Sequence, residues 1–202
     1  MSFKQQFNKH AKRRLKSGKV GEVRIIGGAF RGRKLPVLSA EGLRPSADRV
    51  RETLFNWLQF EIAGAKCLDA FAGSGALGLE ALSRGAQSVT FMELNPQAAQ
   101  QLKQNLQLLE VNNAQVLLAD ALQQLSTMNT TFDGIFLDPP FNKGLMQPTI
   151  DCIFQQQLLR PSGWLYLEQE KSLPWPQMPE EWKCVREKTT AQVKYGLFRQ
   201  QE

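Results

Sequence analysis

From residue 66 onward the chain alternates between short apolar runs and longer stretches of helical period. Strands are expected near 66–71, 88–93, 115–118, 132–137 and 163–169, and helices near 75–84, 96–110, 121–127 and 145–158. Pro96 suits a first helical turn, where a missing N–H costs nothing. Alternation of this kind implies an α/β fold with a parallel sheet covered by helices on both faces. The C-terminal stretches Glu181 to Glu187 and Ala191 to Gln200 read as two strands with no helix between them, hence an antiparallel pair at the sheet edge. No internal repeat interrupts the pattern.

In an open α/β sheet, ligands bind outside the carboxyl ends of the strands. The first strand ends in Asp69-Ala70-Phe71-Ala72-Gly73-Ser74-Gly75-Ala76-Leu77-Gly78, which fits G-x-G-x-x-G between a strand and a helix. Glycine there permits a sharp turn and the close approach of a ligand. By itself the motif suits any nucleotide-like molecule. Asp69, just before the loop, would repel a pyrophosphate but suits an ammonium group. Glu93 ends the second strand, 24 residues after Asp69, where an acid can accept both hydroxyls of a ribose. Asp120 ends the third, within reach of an adenine amine. An ammonium, a ribose and an adenine without phosphates describe S-adenosylmethionine. The plainer account makes the three acids helix caps and loop acids.

The strand Gly134-Ile135-Phe136-Leu137 ends in Asp138-Pro139-Pro140-Phe141. Two successive prolines remove two backbone donors and stiffen the path. The product is a shelf with one carboxylate, free carbonyls and one aromatic face, which suits a flat base with an exocyclic amine. Asp138 and the Pro139 carbonyl would accept the two N–H bonds, and Phe141 would stack on the ring. A proline turn with Phe141 in the core is the plainer alternative.

Charge is unevenly placed. Residues 1–51 hold 14 Lys and Arg against three acids, whereas the chain as a whole carries +6. A basic surplus in one quarter of the chain points to a polyanion, nucleic acid first. Val23 to Gly28 and Lys34 to Leu38 read as two strands around the turn Phe30-Arg31-Gly32-Arg33, an arginine-rich hairpin. Ser46 is a candidate N-cap for a helix over Ala47 to Phe60. Three unpaired cysteines (Cys67, Cys152, Cys184) fit a reducing cytoplasm, and the single histidine, His10, argues against a metal site or a catalytic triad. No apolar run has membrane-spanning length, and no apolar segment follows the basic N-terminus as a secretory signal requires.

Taken together, these segments resemble the bacterial 16S ribosomal RNA guanine(966)-N2 methyltransferase family. The resemblance rests on Arg24-Ile25-Ile26-Gly27-Gly28 with Arg31-Gly32-Arg33, on Arg44-Pro45-Ser46-Ala47-Asp48-Arg49-Val50-Arg51-Glu52-Thr53-Leu54-Phe55-Asn56, on Leu68 to Ala81 and on Asp138 to Phe141. The glycine loop and the tetrapeptide are common to many methyltransferases; the hairpin and the Arg44 to Asn56 stretch are the narrower part. Ser46 stands where the family pattern leads us to expect threonine. The resemblance implies a class I, Rossmann-like fold: a seven-stranded, mostly parallel sheet with the antiparallel C-terminal pair and an N-terminal hairpin extension. The resemblance begins near residue 22; with the polar, basic composition before it, the expected division is a basic tail over 1–20, the hairpin extension over 21–44 and the catalytic domain over 45–202. The expected donor site comprises Asp69, Phe71, Gly73, Ser74, Gly75, Glu93 and Asp120. The expected RNA contacts are Arg24, Arg31, Arg33, Lys34, Arg44, Arg49 and Arg51. The implied partner is 16S rRNA within the assembling small subunit, met by a cytoplasmic monomer. Other readings of the same residues are an amino methyltransferase for another RNA guanine or for DNA adenine, a nicotinamide-dependent oxidoreductase, and a non-catalytic RNA-binding assembly factor.

Overall fold

A computed structural model describes residues 21–38 and 45–201. His10, the basic tail and Arg44 lie outside them. Among the described residues, nine strands fall into two sheets. β1 (Gly21–Arg24) and β2 (Lys34–Val37) form an antiparallel hairpin. The other seven are β3 (Lys66–Asp69), β4 (Ser88–Glu93), β5 (Ala114–Leu118), β6 (Phe132–Leu137), β7 (Leu159–Glu170), β8 (Trp182–Thr189) and β9 (Val193–Gln200). They run in the order β5-β4-β3-β6-β7-β9-β8. The first five are parallel, β9 is antiparallel to β7, and β8 closes the edge antiparallel to β9. This is the mostly parallel seven-stranded sheet with an antiparallel C-terminal pair that the sequence implied.

Among the described residues, five helices cover it: α1 (Pro45–Trp57), α2 (Ala76–Ser83), α3 (Pro96–Leu108), α4 (Ala121–Leu125) and α5 (Met146–Gln155). Side chains alternate across each strand, so the core divides by sheet face. Cys67, Phe91, Phe136 and Tyr166 belong with α1, α2, α3 and the hairpin, whereas Leu68, Met92, Leu137 and Leu167 belong with α4 and α5. On the first face the Phe136 ring lies 5.9 Å from Phe55, 5.0 Å from Trp164 and 6.3 Å from Tyr166, centroid to centroid. Asp138 follows Phe136 by two residues, so this rigid aromatic group underlies the shelf.

Three local expectations are corrected. α1 begins at Pro45, so Ser46 is a helical residue and not its N-cap; the fixed φ of proline already suits a first turn. The helix also stops at Trp57, short of Phe60. Strand β1 stops at Arg24, before the expected Gly28. Ile25 N–H still reaches across to the Arg33 carbonyl at 2.9 Å, but the two donors after it turn away: Ile26 N–H donates to Glu80 Oε2 and Gly27 N–H to Glu80 Oε1 on α2, each at 2.8 Å.

That contact seats the hairpin on the body. Val23, Ile25, Leu35 and Val37 are buried in the same core as α1 and α2. Ala29 N–H donates to the Ser83 carbonyl at 2.7 Å, Phe30 N–H to Ser83 Oγ at 2.9 Å, and Asn105 Nδ2 to the Pro36 carbonyl at 2.9 Å.

Candidate active site

Five acids gather along the carboxyl end of the sheet. The registers Asp69↔Phe91 and Asp69↔Phe136 put Asp69, Glu93 and Asp138 on the helix α2 face. Asp69 is only 2% exposed, and its Oδ2 accepts from Gly78 N–H at 3.0 Å. It thus braces the glycine loop from beneath. Burial pushes its carboxyl up to about 7; the Gly78 bond works against this shift and the Glu93 charge adds to it. Among the described residues no base pairs with Asp69. A buried acid without a counter-charge favours an incoming cation.

The loop above it is shaped by its glycines. Gly73 (φ 52°) and Gly75 (φ 77°) are left-handed, a conformation glycine adopts at little cost. A Cβ at Gly73 would meet nothing within 4 Å, so the loop offers an open cradle there. A Cβ on Gly78 would instead approach Phe91 to 2.2 Å, so this glycine lets α2 pack close to the sheet. Phe71 and Ser74, on the same loop, are half-buried. Glu93 ties the loop to β4: Oε2 accepts from Gly73 N–H and Oε1 from Asn95 N–H, both at 2.7 Å. An ionised carboxylate has about four lone-pair positions, so it can still receive hydroxyl donors. Asp120 caps α4 through Oδ1, which accepts from Gln123 N–H at 3.0 Å. The plainer cap reading therefore holds for one of its oxygens; Oδ2 has no partner among the described residues. Leu94 and Leu118, exposed aliphatics, neighbour Glu93 and Asp120 along the chain and could flank a flat ring.

Next to this cradle stands Asp138-Pro139-Pro140-Phe141. Neither the Asp138 carboxylate nor the Pro139 carbonyl accepts a hydrogen bond from any described residue. Phe141 is 41% exposed and so is not a core residue. The shelf is held beyond its end: Asn142, itself left-handed at φ 59°, donates N–H to Glu170 Oε1 at 2.7 Å. Asp138 opens to solvent on the cleft side, yet its carboxyl is raised well above the ordinary carboxylate value. Desolvation of the carboxyl by burial is the first cause, followed by the Glu168 and Asp69 charges.

The basic residues divide. Arg24, Arg31, Arg33, Lys34 and Arg49 are exposed. Arg33 Nη2 donates to the Leu108 carbonyl at 3.0 Å, and Arg24 and Lys34 face Asp48 and Glu22 at 3.8 and 3.3 Å. Arg51 does not join them. It is 5% exposed, donates from Nη2 to the Arg24 carbonyl (2.6 Å) and Asp48 (3.0 Å), and faces Glu80 at 3.9 Å. It is a brace between hairpin and body. The spacing holds a signal for this: Arg51 precedes Leu54, Phe55 and Leu58 by three, four and seven residues, the apolar face. Two acids went unassigned in the sequence, Glu80 and Glu168. Each is marked by its setting, an acid set in an apolar helix or strand.

Known proteins resemble this chain along most of its length. A family described as conserved hypothetical protein 95 matches residues 23–199. Ribosomal RNA small subunit methyltransferase D of Haemophilus influenzae is 50% identical over 182 residues, covering 88% of this chain and 94% of the relative. The Escherichia coli protein of that name is 47% identical over 181 residues, covering 90% and 91%. A solved methyltransferase-fold structure from Escherichia coli superposes with a TM-score of 0.82 at 47% identity, covering 89% of this chain and 98% of its own. With a class I methyltransferase fold and these relatives, the chain belongs to the family of ribosomal RNA small subunit methyltransferase D.

Proposed function

We propose that the chain transfers a methyl group from S-adenosylmethionine to the exocyclic N2 of a guanine, position 966, in 16S rRNA of the small ribosomal subunit. The observation that carries this reading is the pairing of an unneutralised buried acid beneath an open glycine cradle with a hydrogen-bond-free Asp-Pro-Pro-Phe shelf on the same sheet edge. The cradle fits the donor's chemistry. Asp69 would favour its cationic end, Glu93 its ribose, and Asp120 Oδ2 with Leu94 and Leu118 its adenine. Phe71, Gly73, Ser74 and Gly75 would form the floor. When bound, the donor supplies an electrophilic methyl carbon on sulfur.

The chain's own residues supply alignment and charge. Guanine N2 is a weak nucleophile because its lone pair is delocalised into the ring. Asp138 and the Pro139 carbonyl would each accept one N2 proton, turning the lone pair towards the methyl carbon. As the N–C bond forms, positive charge grows on nitrogen, and Asp138 stabilises it. The N–H then becomes acidic and its proton passes to Asp138, whose raised affinity for protons makes it an apt acceptor. Phe141 would stack on the base and hold it out of its helix, against an unstacking cost of about a few kcal/mol. Arg24, Arg31, Arg33, Lys34 and Arg49 would contact phosphates and offset that cost.

The test is to map the methyl group. Small subunits lacking the modification, incubated with the protein and labelled donor, should gain one N2-methylguanine at that nucleotide. A methyl group on another atom or another nucleotide refutes the assignment.

A further inference from the structure

Glu168 lies at the carboxyl end of β7, one strand over from the shelf. Leu137 of β6 is in register with Leu167 of β7, and Phe136 with Tyr166. One residue further along, Asp138 comes opposite Glu168. Because side chains alternate, both acids project on the Phe136–Tyr166 face, on strands about 4.8 Å apart. The proximity is felt electrostatically: Glu168 is the leading charge acting on Asp138.

Its orientation is set from below. The Tyr166 hydroxyl donates to Glu168 Oε2 at 2.7 Å. The Tyr166 ring is fully buried, between Phe136 and Tyr195 at 6.3 Å each. That leaves Oε1, which accepts from none of the described residues. A purely structural partner for Tyr166 would need only Oε2. It would gain nothing from standing beside Asp138, where two like charges repel each other.

We propose that Glu168 selects guanine: Oε1 accepts the ring N1–H while Asp138 and the Pro139 carbonyl hold the N2 amine. The inference rests on the guanine-amine reading above. The pairing edge of guanine presents N1–H beside the amine, an unbroken row of donors. Adenine and 2-aminopurine each carry an amine next to a bare N1, an acceptor. The Asp-Pro-Pro-Phe shelf grips an amine on either kind of base. A carboxylate held by Tyr166 at the neighbouring position tells them apart, because it bonds N1–H and repels a bare N1. Buried polar groups left unpaired are how a site rejects a near-isostere.

The test compares small subunits assembled on RNA that carries guanine or 2-aminopurine at the methylated nucleotide. Single-turnover methyl transfer is followed with the wild type, with Glu168→Gln, and with Glu168→Gln combined with Tyr166→Phe. The wild type should prefer guanine by about 10- to 100-fold. In Glu168→Gln the Tyr166 hydroxyl still donates to the side-chain oxygen, which turns the amide NH2 towards the base. Guanine N1–H then meets a donor, and the preference should fall to parity or below. Removing the hydroxyl as well frees the amide to flip, and part of the preference should return. Adenosylhomocysteine affinity, read by thermal shift, should be unchanged in both variants. A guanine preference unaltered by Glu168→Gln, with both substrates slowed equally, overturns the inference and leaves the guanine-N2 reading standing. If the wild type itself forms no N2-methylguanine, both fall together.

Discussion

Replacing Glu80 with Gln tests how the hairpin is held. The Glu80 carboxylate is 1% exposed and receives two backbone donors, one on each oxygen. Arg84 Nε also donates to it at 2.7 Å, and Arg51 faces it at 3.9 Å. Glutamine keeps the shape but offers a single acceptor, so one of the Ile26 and Gly27 N–H groups must face an NH2. A hydrogen bond to a charged group contributes about 1.5–3 kcal/mol, and an arginine left in the interior without its counter-charge adds to the loss. Arg51 keeps Asp48 and the Arg24 carbonyl, and Arg84 is partly solvated, which limits that second part. The net expected cost is about 3–4 kcal/mol. For a chain of this size each kcal/mol lowers Tm by about 2–4 °C, so the expected drop is about 10 °C. Urea unfolding read by tryptophan fluorescence gives the free energy, and calorimetry gives Tm. The hairpin carries Arg24, Arg31, Arg33 and Lys34, so RNA affinity should fall with stability while adenosylhomocysteine still binds the folded protein. A loss of stability below about 1 kcal/mol would refute the claim that this carboxylate anchors the hairpin.

Three further outcomes are expected. Gly28→Ala should cost more than Gly32→Ala in urea unfolding: both have φ near 80°, but a Cβ on Gly28 would sit 1.8 Å from the Ser83 carbonyl oxygen, whereas one on Gly32 meets nothing. Backbone strain alone accounts for about 1–3 kcal/mol, so equal losses at the two sites would contradict the packing. Asp69, whose folded value of about 7 lies above its unfolded value of 3.8, binds a proton more tightly when folded. Its contribution is full below the unfolded value and is lost as pH rises through the folded one, by on the order of 4 kcal/mol. Asp69→Asn should therefore flatten the fall in Tm of the ligand-free protein between pH 5 and 8, and parallel Tm curves would refute the assigned burial. Phe141→Ala should leave Tm unchanged while raising KM for the subunit about 10- to 100-fold, the scale of one base–aromatic stack; an unaltered KM would return Phe141 to a surface role.

The sheet was legible because its strands are short apolar runs. Ser88 to Glu93 and Phe132 to Leu137 fall where the apolar residues begin and end. The shelf was legible for a related reason: two prolines leave few conformations open. What the sequence hid was long-range pairing. Nothing local tells Ile26 and Gly27 that their donors will go to an acid more than 50 residues away, so the run from Val23 to Gly28 reads as a longer strand than the one that forms. The partition of arginines into brace and surface needed the phase of α1, which was readable yet outweighed by the count of positive charges. Asp120 caps a helix, a role that the residue type alone cannot separate from a ligand-facing one, since an acid at a strand end is also an acid at a helix start. Glu168 stands out in the sequence as an acid in an apolar strand, but its place opposite Asp138 comes only from the register of β7 against β6.

In the proposed reaction Asp138 grips the amine that receives the methyl group. Asp138→Ala, assayed by single-turnover transfer to small subunits alongside adenosylhomocysteine binding, tests it most directly. Loss of one group that stabilises developing charge slows chemistry by about 10²- to 10³-fold, and the further loss of alignment can only deepen this. The expected result is such a fall with donor affinity within about threefold of the wild type; transfer at the wild-type rate would contradict the account.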